Sequence, residues 1–162
     1  MDTNLLHLNH HDLGTEEFSI TNPRYNLYQS DDGIREFVIA FETDRAVKRV
    51  KELEEVIDPL PNFEATVLMP HHNTEPGPGS RLKQAEGYDY ERDEHLSNFY
   101  YFSHDSIEAL EVEILEAIGH DLRMTVKGKT IVNGSNGNEP DADLLVESVI
   151  FRHDGDLERA VC

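Results

Sequence analysis

The sequence predicts an α+β protein that is mainly antiparallel β: a sandwich-like arrangement of about eight or nine strands with one amphipathic helix packed against it. Three observations lead there. Apolar and polar residues alternate in run after run along the chain. Turn-forming residues such as Asp31-Asp32-Gly33 and Gly119-His120-Asp121 separate those runs. Residues 44–57 switch to apolar side chains at helical spacing. The 162 residues suit a single domain spanning 1–162.

Residues 1–16 are polar around Leu5, Leu6 and Leu8 and read as an edge strand or a loose arm. Phe18 to Thr21 is a short strand that Asn22-Pro23 should break, because the residue before proline avoids the helical region and proline offers no N–H. Tyr25, Leu27 and Gln29 alternate with Asn26, Tyr28 and Ser30, and the following Asp-Asp-Gly predicts a hairpin. Its second strand, Ile34 to Glu42, carries Phe37, Ile39 and Phe41 on one face and Val38 and Ala40 on the other. Apolar groups on both faces predict a central strand.

In 44–57, Ala46, Val50, Leu53 and Ile57 share one helical face, Thr43 or Asp44 can cap the start, and Pro59 ends the run. The charges are reversed for a helix. Arg45, Lys48, Arg49 and Lys51 come first and Glu52, Glu54, Glu55 and Asp58 last, so only packing could hold it against the helix dipole. Phe63 to Met69 is another alternating strand. A long irregular loop, about 70–96, follows, rich in proline and glycine.

Ser97 to Phe102 is a strand by aromatic content, with Tyr100 and Phe102 on one face and Phe99 and Tyr101 on the other. Residues 107–118 fit both a helix (Asp105 and Glu108 at capping-box spacing) and a strand (Leu110, Val112 and Ile114 alternating). The strand is preferred, since it forms a hairpin with Leu122, Met124 and Val126. Residues 133–141 are a loop with two Asn-Gly pairs. Ala142 to Phe151 is a last strand, apolar on both faces and therefore central, before a polar tail from about 152.

Charge limits the partners. Asp and Glu number 33 against 14 Lys and Arg, a formal net of −19. The excess is spread evenly: 15 acids to 6 bases in residues 1–80, 18 to 8 in residues 81–162. Such a surface repels phosphate backbones and anionic bilayers, so neither nucleic acid nor membrane is an expected partner, whereas a basic protein is. The N-terminus lacks a basic stretch followed by an apolar one, and no apolar run approaches a bilayer-spanning length, so a soluble, cytoplasmic protein is expected. The one cysteine, Cys162, allows neither an internal disulfide nor a multi-thiolate zinc site.

No nucleophile elbow or phosphate-binding loop is present. The best candidate metal ligands among nine histidines are His71, His72, His95 and His104, with Glu75 or Asp93, although their spacing matches no established ligand pattern. Asp141 and Asp143 offer oxygens for calcium without the regular loop motif. Tyr88, Tyr90, Tyr100 and Tyr101 are candidates for a binding surface. No cofactor is expected. The function these observations support is non-catalytic binding or interaction. An acidic, immunity-type protein neutralising a basic partner is one alternative, and a metal-dependent enzyme using the loop histidines is another.

Overall fold

The computed structural model describes residues 4–29, 33–54, 57–69, 76–132 and 139–158. Cys162, His71, His72 and Glu75 lie outside them. Among the described residues the chain is mainly antiparallel β: β1 Leu5–His10, β2 Gly14–Gln29, β3 Arg35–Lys48, β4 Asn62–Met69, β5 Arg81–Gln84, β6 Tyr88–Asp89, β7 Glu94–His95, β8 Ser97–Tyr100, β9 His104–Asp105, β10 Glu108–Ile118, β11 Asp121–Thr130 and β12 Ala142–His153.

Ten of these strands form one sheet in the order β5-β10-β11-β12-β1-β2-β3-β4-β8-β9, and β6 pairs with β7 in a small hairpin. The sheet curls on itself. Leu68 N–H of β4 donates to Gln84 Oε1 of β5 at 3.0 Å, although six strands in the sheet order separate these two by way of β12. Inward residues of all the long strands meet in a single apolar cluster, among them Leu6, Phe18, Phe37, Val67, Ile114, Met124 and Phe151. One sheet therefore encloses one core, where a sandwich would face two sheets across it. Phe41 and Phe63, directly opposite in the β3–β4 register, stack with ring centroids 4.7 Å apart.

Two bulges set which side chains face inward. Phe18 and Ile20 point into the core, then Tyr25 and Leu27 do, a change from even to odd positions along β2. The register with β3 slips between Thr21 and Arg24, and Asn22 takes φ 52°. Asn22-Pro23 thus bends β2 as a bulge instead of ending it. In β12, Leu144 and Val146 face inward, then Val149 and Phe151, with Ser148 at φ 53° between them. Its two-sided apolar pattern is one inward face whose phase shifts at the bulge, which leaves Ile150 38% exposed.

Two further expectations need correction, besides the 70–96 stretch, whose described residues carry β5, β6 and β7 where an irregular loop was expected. The described residues of 44–57 do not form the expected helix. β3 runs on through Lys48, with Ala46 paired to Phe18 and Lys48 to Glu17, and the only helical turn among the described residues is a 3-10 turn at Lys51–Leu53. The helical spacing misled because its members have separate fates: Val50 is buried, whereas Ile57 is 79% exposed. The reversed charge order had already removed the dipole's support. Second, β1 is neither edge nor arm; it lies between β2 and β12 in the sheet interior. The 107–118 stretch is the strand of the β10–β11 hairpin, turning at Gly119 with φ 64°.

No helix of the described residues is long and apolar enough to cross a membrane.

Candidate functional site

The curled sheet has two ends, and each collects polar chemistry. At the first, the β1–β2 turn brings His10 opposite Gly14, β3 ends at Lys48, and β8 leads into Tyr101. The strand patterns direct side chains inward here: His10 follows Leu6 and Leu8 on one face, and Glu16 precedes Phe18 and Ile20 on another. The Glu16 carboxylate is consequently fully buried. Its Oε1 accepts from His10 Nε2 at 2.8 Å and from the Tyr101 hydroxyl, and its Oε2 accepts from Arg49 Nε. Arg49 also donates to the Leu53 carbonyl at 2.9 Å, which ties the 3-10 turn to the cluster. The His10 and Tyr101 rings meet edge-on at 5.6 Å.

Burial by itself would push the Glu16 carboxyl up, but the donors from His10, Tyr101 and Arg49 and the charge of Arg49 outweigh it and hold the carboxyl below its ordinary range. Burial, reinforced by the bond to Glu16, pushes the Tyr101 hydroxyl well above that of a free tyrosine. The result is a fully buried, ionised carboxylate with donors on both of its oxygens.

The opposite end is open. Here β2 ends and β3 begins, β10 turns into β11, and β12 finishes by pairing parallel to β2 at Arg152–His153. A cleft of ≈ 380 Å³ lies between them, with Tyr25, Phe37 and Leu122 among its lining and Arg35, His120 and His153 alongside. Tyr25 and Phe37 stack at 5.5 Å, and His153 meets Tyr25 edge-on at 5.3 Å. The Tyr25 hydroxyl donates to the His120 carbonyl, which fixes the ring against the β10–β11 turn. Burial, with the nearby Asp121 charge, pushes that hydroxyl up, so it stays a donor.

The residues singled out in the sequence are dispersed. His95 and His104 do line one smaller pocket with Ser97, Asn98, Asp105 and Ser106. His104 Nδ1 is already engaged by the Asn98 side chain at 2.9–3.1 Å, and His95 packs edge-on to Tyr88. Asp93 bonds the Tyr88 hydroxyl. Asp141 is buried and accepts from Val132 N–H at 2.8 Å, whereas Asp143 meets His11 at 3.1 Å. Among the described residues no group of three His, Cys, Asp or Glu is placed to hold a metal ion. Of the tyrosines, Tyr101 belongs to the buried cluster and Tyr100 faces His104. Tyr88 and Tyr90 pair edge-on at 5.0 Å beside a shallow groove, with Tyr90 77% exposed.

Sequence reasoning did not find Glu16, His10 and Arg49, nor the cleft residues Arg35, His120 and His153. A signal existed for the first pair: both continue an inward-facing alternation, at His10 after Leu8 and at Glu16 before Phe18. The cleft left no such trace, because its residues come from four strands.

Comparison with protein-family models, with curated proteins and with solved structures finds no match to this chain.

Proposed function

We propose that this is a non-catalytic binding protein whose site is the cleft at the β2–β3 end of the curled sheet. The observation that carries the reading is a concave space of ≈ 380 Å³ with two stacked rings in its lining and polar groups at its sides. That volume lies within the range of small-molecule sites, and the mouths of curled sheets are a recurrent place for them. The non-catalytic part has separate support. The constellation that most resembles acid–base machinery, Glu16 with His10 and Tyr101, is sealed from solvent and fully hydrogen-bonded. Among the described residues no side chain lining the cleft is acidic.

The test is a titration of isotope-labelled protein with a panel of neutral, anionic and cationic fragments, followed by amide NMR. Shifts confined to Leu27, Gly119, His120 and Leu122 are the expected result. Shifts elsewhere only, or none with any fragment, reject the reading.

A further inference from the structure

His120 and His153 are distant in sequence, and the β11–β12 ladder brings them together. Leu122 lies opposite Phe151 in that register. His120 comes two residues before Leu122 and His153 two after Phe151. The same antiparallel row, continued past the end of the core, therefore sets the two imidazoles on one side. Their ring centroids are 6.5 Å apart. Both backbones are pinned. The His120 carbonyl accepts from the Tyr25 hydroxyl. His153 N–H donates to Asp121 Oδ1 at 3.1 Å, and the His153 ring rests edge-on against Tyr25 at 5.3 Å. Both histidines are exposed and line the cleft. The charged groups next to them in the chain are Asp121, Arg152 and Asp154, and Arg152 meets Asp154 at 3.8 Å.

We propose that His120 and His153 form a two-imidazole site for a late first-row divalent cation such as zinc, with water completing its coordination. Imidazole nitrogens suit nickel, copper and zinc, whereas magnesium and calcium take oxygen ligands. Two imidazoles that share an ion at about 2.0–2.1 Å from each nitrogen have centroids about 5–6 Å apart. Small side-chain rotations bring these exposed rings onto one ion, and the pinned backbones lower the cost of ordering them. Among the described residues no group of three ligands forms, so the proposed site has two protein ligands. The formal net charge of −19 favours cations near the surface. Arg35, also in the cleft lining, is engaged in interactions of its own. This goes beyond the cleft reading and does not depend on it: the pair holds zinc whether or not the cleft takes an organic molecule.

The experiment titrates zinc chloride into the isotope-labelled full chain and follows the imidazole nitrogens by NMR. The ring signals of His120 and His153 should move together and saturate with one shared affinity. Magnesium at the same concentrations should move neither ring. His120→Gln and His153→Gln should each weaken zinc binding at the remaining imidazole about tenfold or more, since loss of even a supporting partner of a metal ligand costs about 10–100-fold. The two variants test the same pair, so either one that keeps its native spectrum decides. Movement of one ring without the other, or unchanged affinity in a variant, overturns the shared site. Zinc without effect on both rings overturns it too and leaves the cleft reading standing. Silence of the cleft toward organic fragments rejects that reading alone.

Discussion

The two ends of the curled sheet meet the same problem, how to close a tube of strands, with opposite chemistry. At the β1–β2 end an ionised carboxylate sits at 0% exposure among three donors. At the β2–β3 end the stacked rings of Tyr25 and Phe37 are themselves buried, and the histidines beside them are exposed. A buried charge holds its neighbours to one geometry because any departure leaves it unpaired in a low-dielectric setting. Exposed imidazoles at a rim make no such demand. The first end is therefore committed to a single arrangement, and the second is where the proposed ligand would exchange with water.

The largest test of this contrast is Glu16→Ala, which leaves Arg49, His10 and Tyr101 without their common acceptor. Loss of about 3–5 kcal/mol in chemical denaturation is expected, as for other broken buried ion pairs. Tyr101→Phe removes one donor to the same carboxylate and should cost about 1.5–3 kcal/mol. Gly87→Ala tests the hairpin region, where a Cβ would lie 2.7 Å from Ser106 Cβ and 2.8 Å from the Ile107 carbonyl oxygen. There, overpacking should cost about 1–3 kcal/mol. His153→Ala at the open end should change stability by no more than about 0.5–1 kcal/mol, so a larger loss would dissolve the distinction between the ends.

Acid and alkali sharpen the comparison. The Glu16 carboxyl is held low in the folded chain, so its contribution is present above the ordinary carboxylate range, about pH 4.3, and fades as pH falls through the folded value. Tyr101 and Tyr25 are both raised, so the folded chain keeps protons that the unfolded chain releases above about pH 10. Stability should therefore fall from that point upward. Glu16→Gln should flatten the acid limb of a melting-temperature profile, and retention of the full limb would assign it to other acids.

Much of the sheet was legible in the sequence because alternation reports which side of a strand is covered. All but the first residue of Ile34–Glu42, all of Phe63–Met69 and the pair of runs around Gly119 lie within β3, β4 and the β10–β11 hairpin. What alternation cannot report is a change of phase. Leu144, Val146, Val149 and Phe151 looked like two apolar faces until the bulge at Ser148 put all four on one. Centrality was read correctly for β12, although part of the reason lay in the bulge. The 44–57 segment failed for a related cause: spacing alone does not tell a helix face from a strand followed by a turn. Neither end could be assembled beforehand, since each depends on which strand termini the topology gathers.

The placement of β1 has a consequence for how the molecule comes into being. Leu6 lies opposite Phe18 on one side and Val146 on the other. One neighbour is made almost at once and the other only after most of the chain, so half of this strand's hydrogen-bonding groups stay unmet during synthesis. Such distant pairing slows folding, and an unpaired apolar strand invites association with other chains in the interval. The order of events should follow: the β2–β3 and β10–β11 hairpins early, and the joining of β12 to β1 last.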